Sequence, residues 1–379
     1  MTIAVISMIR DNWGGSEELW AAMAEAALKE GHEVLHLSFE HQDIHPKMKR
    51  LTGLGLQEYH RVGFSGDDNI TPLKKKWIIA RNYLRKKLDP PFKKIFMHKP
   101  DIVLYVGTCF SIVGEKGLLR QVKKSRARFF MLSHYLPPVE ERISDMQKDD
   151  ARSAYQLAEK CFFTDKRTKS RTSALLGIPL HNAVYVRNPV NISSEAYIPF
   201  PKDPVIQFAT VGNLVVEHKG QDLLLTVLSR EAWLKRNWRL NIYGSGKDER
   251  RLKEYVAAHS LEDKVFFHGK QSDIRSVWEK NHLLIMPSRM EGIPLAMVEA
   301  MLCGRPSVAT DVGGITEWIE NGVEGFIAAA PVLDDLSNAL EQAWSNRDHW
   351  SQMGQAAHEK AVKNHDFHAG NTLLDLIRP

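Results

Sequence analysis

The sequence predicts an α/β fold with two doubly wound, Rossmann-like parallel-sheet domains that face each other across a cleft. Strand-like and helix-like segments alternate through both halves of the chain, which is typical of parallel sheets covered by helices on both faces. A stretch rich in proline and polar residues interrupts the alternation at 193–204 and predicts a linker. The 379 residues also exceed the length that one core usually supports. We therefore expect one domain over 1–192 and a second over 205–356.

The predicted strands are short apolar runs, each followed by a helical pattern. In the first domain they are TIAVISM, HEVLHLS, DIVLYVG, RFFMLSH and KCFFTD, and in the second they are VIQFATVG, RLNIYGSG, KVFFHG, HLLIMPS and RPSVATD. The first helix is predicted from Gly15 to Glu30, because Gly31 is a helix-stop signal. Ligands of such sheets bind beyond the carboxyl ends of the strands, so functional residues are expected there.

The composition is typical of a globular protein, with 43% hydrophobic and 26% charged residues. The three cysteines (Cys109, Cys161 and Cys303) are far apart and odd in number, which favours a reducing cytoplasm over a disulfide framework. The N-terminal residues lack the features of a signal peptide and predict a strand. The longest apolar-rich stretch, Ile102 to Val113, is too short to span a bilayer. We expect a cytoplasmic protein, soluble or peripheral on the inner face of the plasma membrane.

Positive charge is concentrated in the first half of the chain. Residues 1–200 contain 31 lysines and arginines against 22 aspartates and glutamates, whereas residues 201–379 contain 20 against 24. The excess lies in 73–99, where lysines and arginines alternate with apolar residues such as Trp77 and Tyr83. This pattern is typical of a segment that lies on an anionic membrane surface, and a solvated helix face is the alternative. We expect no nucleic-acid partner, because the chain contains no nucleic-acid-binding motif.

Residues 282–301 are the most informative stretch. An apolar strand runs into a polar loop that contains Glu291, and Pro294 is expected to open a helix, where its missing N–H is harmless. That helix is apolar nearly all round and therefore buried, so its Glu299 needs a hydrogen-bonding partner. The amides of the helix end, up to Met297, would stabilise an anion. An anion site beside two carboxylates suits a sugar attached to a phosphate. The alternative is a capped core helix with a salt-bridged glutamate.

A second constellation follows the strand that ends at Gly212. A loop with Asn213 comes next, and Lys219-Gly220 is expected to open a helix, where the lysine charge and the helix amides would clamp a phosphate. The order Lys-Gly-Gln differs from the Gly-Lys-Ser/Thr of a nucleoside-triphosphate loop. A surface lysine near a helix cap is the alternative.

Weaker candidates lie at other strand ends. Gly14-Gly15 would let the backbone approach a bulky ligand or would form a tight turn. Gly313-Gly314 would contact a ligand or permit close packing. His134 is expected at a strand's carboxyl end, where it either points into the cleft or is a satisfied polar group.

The sequence predicts no metal site and no other cofactor. His41/His45 and His365/His368 have helical spacing, but they lie in polar stretches that are expected to be exposed. The chain contains no Asp-x-Asp, a common device for holding a metal on a sugar diphosphate. Charge on a leaving diphosphate would then be neutralised by Lys219 and helix ends.

In their order along the chain, these segments resemble the family 4 retaining glycosyltransferases (glycosyl transferases group 1) of the GT-B fold. The resemblance covers nearly the whole chain. It is most specific in the second half, where VGN…EHKGQDLLL, IYGSG, VFFHG, PSRMEGIPLAMVEAMLCGRPSVATDVGG and EWIENGVEGFI stand in the family's order. Glu291 and Glu299 match the family's Glu-x7-Glu motif. The final stretch, 357–379, resembles the tail helix that crosses back onto the first domain.

The resemblance implies a role for each matched residue. Glu291 would hold hydroxyls of the donor sugar, Glu299 would hold those of the ribose, and Lys219 would grip the diphosphate. His134 would lie near the donor sugar. The rest of the implied donor site comprises Gly14 and Gly15 over the phosphates, Gly212 and Asn213, the segment Gly292, Ile293, Pro294 and Leu295 facing the diphosphate and sugar, and Gly269, Lys270 and Gln271 against the base.

We accordingly predict a metal-independent retaining glycosyltransferase. It would move a sugar from a nucleotide-diphosphate sugar to a hydroxyl of a glycan or lipid-linked acceptor in cell-surface polysaccharide biosynthesis. The acceptor hydroxyl would attack from the face of the leaving group. A double displacement is the second choice, because the sequence offers no covalent nucleophile on the opposite face.

One residue departs from the family pattern and supports a rival hypothesis. Asn213 stands where an arginine is usual, and it brings no charge to a phosphate. Arg10 or Arg289 would have to supply that charge. The rival is a nucleotide-sugar-binding scaffold or regulatory subunit without transfer activity, and an epimerase or phosphorylase on the same fold is a further alternative.

Overall fold

The computed structural model describes residues 1–8, 13–40, 44–61, 91–137, 142–192 and 197–379. Within these ranges the chain forms two compact units, each with its own parallel β-sheet. The first unit comprises Met1–Pro189 and His368–Pro379, and the second comprises Val190–Phe367. The predicted fold class, with two doubly wound α/β domains, is confirmed.

The sheet of the first unit has its described strands in the order β3-β2-β1-β4-β5-β6-β7, all paired in parallel. These strands are β1 (Thr2–Ser7), β2 (Glu33–Phe39), β3 (Gln57–Arg61), β4 (Ile102–Gly107), β5 (Arg128–Ser133), β6 (Lys160–Phe163) and β7 (Ala183–Tyr185). The helices that follow them are α1 (Gly15–Lys29), α2 (Pro46–Gly53), α3 (Pro91–Met97), α4 (Lys116–Lys124), α5 (Asp145–Leu157) and α6 (Lys166–Leu176). In β1, Ile3 and Ala4 face different core clusters and are both fully buried. Helices on both faces therefore explain the unbroken apolar run.

The sheet of the second unit has the order β10-β9-β8-β11-β12-β13, again with parallel pairing. Its strands are β8 (Ile206–Val211), β9 (Trp238–Tyr243), β10 (Val265–Gly269), β11 (Leu283–Met286), β12 (Ser307–Thr310) and β13 (Gly325–Ala328). Its helices are α7 (Val216–Lys219), α8 (Gln221–Leu228), α9 (Glu231–Leu234), α10 (Glu249–Ala258), α11 (Ile274–Lys280), α12 (Leu295–Leu302), α13 (Leu333–Ser345) and α14 (Trp350–Asn364). The strand order reverses between β8 and β11, which makes the loops after these two strands the expected ligand site of such a sheet.

Three strands were absent from the sequence prediction, and all three lie at sheet edges. β3 and β7 flank the first sheet, and β13 flanks the second. An edge strand is only partly covered, so it lacks the continuous apolar run that identifies a buried parallel strand. β3, with the sequence QEYHR, is the clearest case.

The division into units differs from the predicted boundaries at two points. Of the predicted linker 193–204, the described residues Ile198 and Pro199 are held by the second unit, because the buried Arg305 guanidinium donates to both of their carbonyls. Of the predicted returning stretch 357–379, the part up to Phe367 belongs to the second unit. Only the final helix, α15 (Ala369–Ile377), packs in the first unit, against α1.

Most of the predicted membrane segment 73–99 lies outside the described residues, which resume at Pro91. The described part is α3, where Lys93 and Lys94 are exposed. No helix in the described ranges is long and apolar enough to cross a membrane.

Candidate functional site

The loops that follow β8 and β11 meet through an ion pair between Lys219 and Glu291. The distance from Lys219 Nζ to Glu291 Oε1 is 2.6 Å. The lysine side chain is 28% exposed and the glutamate side chain is 10% exposed. Because the pair is partly shielded from water, its electrostatic interactions are stronger than those of a fully solvated pair. The fold thus places a cation and a carboxylate together at the switch point of the second sheet.

Lys219 occupies a short turn between two glycines. It is the last residue of α7, so it ends one helical turn rather than opening a helix as the sequence predicted. Gly220 then adopts a left-handed φ of 64° and leads into α8. A Cβ at Gly220 would lie only 2.0 Å from the carbonyl oxygen of Pro287, so glycine is required where the two loops touch. A Cβ at Gly212 would lie 3.4 Å from Lys219 Cε, which places the lysine stem beside the end of β8.

The Glu291 loop is supported from two sides. The hydroxyl of Ser288 donates to Glu291 Oε1 at 2.7 Å. On the other side, a Cβ at Gly313, whose φ is +56°, would lie 2.3 Å from the carbonyl oxygens of Glu291 and Gly292. The Gly314 amide donates to the Gly292 carbonyl at 2.9 Å. Of the two interpretations of Gly313-Gly314, the structure therefore supports close packing.

The helix α12 begins one residue later than predicted. Pro294 is its N-cap residue, with an extended φ of −69° and ψ of 124°, and Leu295 is the first helical residue. The Met297 amide donates to the Pro294 carbonyl at 3.2 Å, so it is not available to a ligand as the sequence suggested. The amides of Gly292, Ile293 and Leu295 lie at the helix end, where the amides of a first turn favour an anion.

Glu299 is buried in α12, with 3% of its surface exposed. Its Oε1 accepts a hydrogen bond from the backbone N–H of Asn191 at 3.0 Å. This contact supplies the hydrogen-bonding partner that a buried carboxylate requires. Its predicted role toward a ribose stays a prediction.

Asn213 lies at the start of the loop that follows β8, and its side chain is exposed. The side-chain amide of Gln221 donates to the Asn213 carbonyl at 3.0 Å, so the backbone of this position is held in place. Of the two arginines that might replace the missing family charge, Arg10 lies outside the described residues. Arg289 is bound to Asp222 through two hydrogen bonds, of 2.7 and 2.9 Å.

The loop that is predicted to contact the nucleotide base of the donor follows β10. Gly269 has a left-handed φ of +67°, and its carbonyl accepts from the Gly244 amide at 2.8 Å. Lys270 and Gln271 are exposed, and the Gln271 side chain donates to the carbonyl of His268 at 2.8 Å. The loop is ordered by its neighbours, and its contact with a base stays a prediction.

The first unit holds the remaining predicted residues. Gly14 caps α1 with an extended φ of −154°, and the nearest atom to a Cβ there would be Ser16 Oγ at 3.9 Å. Neither backbone strain nor packing against described residues therefore requires glycine at this position. Gly15 is the first residue of α1.

His134 follows β5 directly, and its amide donates to the Gly107 carbonyl at 3.1 Å. The side chain is buried, and neither ring nitrogen has a hydrogen-bond partner among the described residues. Burial lowers the pKa of His134 to about 4, so the imidazole is neutral at pH 7. Of its two interpretations, a satisfied polar group finds no support in the described contacts.

The part of the chain that the structure describes has no group of three or more His, Cys, Asp or Glu side chains that could hold a metal ion. His365 was expected to be exposed, but it is buried and packs edge-on against Phe367, with ring centroids 4.7 Å apart. His45 stacks on Trp13 at 4.4 Å.

The Arg289–Asp222 pair is the part of the site that sequence reasoning missed. Arg289 lies two residues before Glu291, and Asp222 lies three residues after Lys219. Closeness in sequence to Lys219 and Glu291 was the signal that could have drawn attention to these two residues. The sequence could not show that they bind each other.

Two doubly wound parallel-sheet units are the architecture of the GT-B fold. Residues 198–360 match the model of the family described as glycosyl transferases group 1. This stretch lies in the second unit and is similar to that family, in agreement with the sequence resemblance.

Individual relatives are similar over part of the chain. An uncharacterised glycosyltransferase of Haemophilus influenzae is 32% identical over 145 residues, which cover 38% of this chain and 41% of the relative. The lipopolysaccharide core biosynthesis mannosyltransferase LpsB of Rhizobium meliloti is 31% identical over 202 residues, which cover 50% and 57%. The chain thus spans about half the length of these curated relatives. HepE of Anabaena, solved in complex with UDP, has a TM-score of 0.75 at 17% identity, with 99% of both chains covered. This likeness shows the fold.

Proposed function

We propose that the protein is a metal-independent retaining glycosyltransferase that uses a nucleotide-diphosphate sugar as donor and a hydroxyl of a glycan or lipid-linked molecule as acceptor. The observation that supports this proposal most directly is the pairing of Lys219 with Glu291 at the switch point, next to the N-terminus of α12. A diphosphate requires a cation and amide donors, and a sugar requires a carboxylate that accepts from its hydroxyls. All three features lie on two adjacent loops.

In the proposed reaction, the bond between the anomeric carbon and the diphosphate oxygen breaks with oxocarbenium character. Lys219 Nζ and the amides at the start of α12 stabilise the negative charge that develops on the departing oxygen. The acceptor hydroxyl bonds to the anomeric carbon from the same face, and its proton passes to the departing diphosphate oxygen. The configuration of the sugar is therefore retained.

Glu291 and Glu299 would bind the donor through its hydroxyl groups. Glu291 has one oxygen engaged by Lys219 and Ser288, so a donor whose phosphate attracts Lys219 would release that oxygen for the sugar. Glu299 would accept from the ribose. His134 would act as a neutral hydrogen-bonding group near the donor sugar, because its low pKa leaves it uncharged.

UDP is the nucleotide that we propose for the donor. HepE of Anabaena, which shares the fold, was solved in complex with UDP. The proposed cell-surface polysaccharide or lipid-linked acceptor draws on LpsB, a lipopolysaccharide core mannosyltransferase that resembles part of this chain. A peripheral location on an anionic membrane face would suit such an acceptor, and the basic segment 73–99 is the proposed contact.

The function is tested by incubating the purified protein with UDP-, GDP-, ADP- and TDP-sugars in EDTA, with a panel of glycan and lipid-linked acceptors. Formation of a glycoside with the anomeric configuration of the donor supports the proposal. An inverted product would contradict retention, and dependence on added divalent metal would contradict metal independence.

Membrane contact is tested separately by sedimentation of the protein with anionic vesicles. The protein should no longer bind the vesicles when six basic residues are neutralised, namely Lys74, Lys75, Lys76, Arg85, Lys86 and Lys87. Unchanged sedimentation with vesicles would contradict it.

The rival function is nucleotide-sugar binding without transfer, and Asn213 is the observation that favours it. Its exposed carboxamide brings no charge to the diphosphate, and the nearby Arg289 is bound to Asp222. Asn213→Arg separates the two proposals. A scaffold protein would gain nucleotide affinity without activity, whereas an enzyme would change its donor KM or its turnover.

A further inference from the structure

Arg289 connects the two loops that carry Lys219 and Glu291. Its backbone N–H donates to the His218 carbonyl at 2.8 Å. Its Nη1 donates to the Val216 carbonyl at 2.7 Å and to Asp222 Oδ1 at 2.7 Å. Its Nη2 donates to Asp222 Oδ2 at 2.9 Å. One residue of the Glu291 loop thus holds both ends of α7 and the first turn of α8.

The turn that carries Lys219 needs such support. A helix of four residues has almost no intrinsic stability, because its few hydrogen bonds do not offset the ordering of its backbone. The Val216 carbonyl accepts from the Gly220 amide at 2.9 Å as well as from Arg289, and the His218 carbonyl accepts from the Arg289 amide. A guanidinium beside these carbonyls is favourable at a helix C-terminus. Asp222 lies in the first turn of α8, where a negative charge is favourable because the helix N-terminus is partially positive.

Arg289 is bound to Asp222 and to backbone carbonyls rather than to Glu291. Its two Nη atoms are engaged by a carboxylate and a carbonyl, and the Asp222 charge neutralises its own. Lys219 is therefore left as the cation that faces Glu291.

We infer that Arg289 and Asp222 form a positioning pair that sets where the Lys219 ammonium lies relative to Glu291. This inference rests on the proposed function, since the placement matters only if Lys219 receives the donor diphosphate. Lysine cannot replace Arg289, because one ammonium does not reproduce a planar fork that bridges a carboxylate and a backbone carbonyl. Small displacements of a charged group are costly to catalysis, which is the source of the expected effect.

The test is a double-mutant cycle of Arg289→Lys and Lys219→Ala, read as kcat, KM and the Kd for UDP. Arg289→Lys alone should lower kcat/KM by about tenfold or more. In the Lys219→Ala background it should cause no further loss beyond about twofold, because the residue through which it acts is gone. Asp222→Asn should have the same pattern. A wild-type kcat/KM for Arg289→Lys, or losses that multiply fully in the double variant, would overturn the inference.

Arg236→Lys is the matched control. Arg236 makes the same two-pronged contact with Glu341, at 3.0 and 2.6 Å, but it lies before the amino end of β9, whereas Lys219 and Glu291 lie beyond the carboxyl ends of β8 and β11. It should lose a similar ion pair without losing activity.

A ligand-free measurement separates failure of this inference from failure of the proposed function. Amide exchange over 212–221 should accelerate in Arg289→Lys and should be unchanged in Arg236→Lys. If the wild-type protein transfers no sugar and binds no UDP, the proposed function is wrong, and amide exchange alone decides whether Arg289 holds the turn. Unchanged exchange in Arg289→Lys would overturn the positioning role.

Discussion

Lys219 and Glu291 are 72 positions apart in the sequence, yet Nζ and Oε1 lie 2.6 Å apart at the carboxyl ends of two neighbouring strands. The pair places opposite charges where a donor would present a diphosphate and a sugar. In the proposed donor complex, a diphosphate would compete with Glu291 for the lysine, and the released carboxylate would become available to hydroxyl groups. This exchange of partners is the central idea of our account of donor binding.

Removing the ammonium should damage catalysis more than folding. Lys219→Ala should lower kcat by at least about tenfold, because one charge stabiliser of the leaving group is lost. Lys253→Ala is a suitable control, since Lys253 forms an exposed pair with Glu249 at 2.7 Å on α10. Steady-state kinetics on both variants check this, and near-normal turnover of Lys219→Ala would remove the lysine from the mechanism.

Glu299 should matter to nucleotide binding. Glu299→Gln retains an oxygen that can accept from the Asn191 amide, so the helix should stay folded. The neutral carboxamide is a weaker acceptor for ribose hydroxyls, and we expect a higher Kd for UDP with little change of turnover at saturating donor. Calorimetry and kinetics together test this. If only turnover falls, Glu299 is not a ribose ligand.

The tight packing at Gly313 should be essential to the Glu291 loop. Gly313→Ala would place a Cβ 2.3 Å from two carbonyl oxygens and should move the loop, with loss of both stability and donor binding. Gly322→Ala is the matched control, because Gly322 also has a positive φ, +85°, but no atom lies within 4 Å of the added carbon. Both variants should lose the roughly 1 kcal/mol associated with a left-handed backbone. Equal loss of donor binding in the two would show that the clash is unimportant.

His134 should make stability depend on pH. Its folded pKa of about 4 lies below its ordinary value of 6.5, so the unfolded chain binds the extra proton first as the pH falls. The contribution of the neutral, buried ring is complete above about pH 6.5 and declines between pH 6.5 and 4. Urea unfolding at pH 7.5 and 4.5 should show a smaller decline for His134→Gln than for the wild type. An equal decline would mean that other groups account for the pH dependence.

The fold was predictable where burial is complete. The central strands of both sheets are apolar runs because helices cover both faces. The edge strands β3, β7 and β13 are partly exposed and were not predicted. Glu291, Glu299 and Lys219 could be proposed from motif order, because Lys219 and Glu291 follow predicted strands closely and Glu299 lies in the helix after the Glu291 loop. The Arg289–Asp222 bond was not predictable, because it joins two separate loops and neither residue has a periodic signal.

Two other features could not be decided from the sequence alone, for physical reasons. The end of the second unit at Phe367, rather than near 356, follows from the packing of α14 on α12, a contact between distant segments. The role of Gly313 in packing depends on how closely the backbone of the Glu291 loop approaches it, and sequence alone does not give that distance.

The most direct test of the account is a calorimetric titration of the purified protein with UDP-, GDP-, ADP- and TDP-sugars in EDTA, repeated with Lys219→Ala and Glu299→Ala. We predict one clear binder without metal, most simply a UDP-sugar, whose affinity falls in both variants. Binding of the same donor with undiminished affinity in both variants would contradict the assignment of the site between β8 and β11. Absence of binding to the wild-type protein would contradict the donor-site proposal itself.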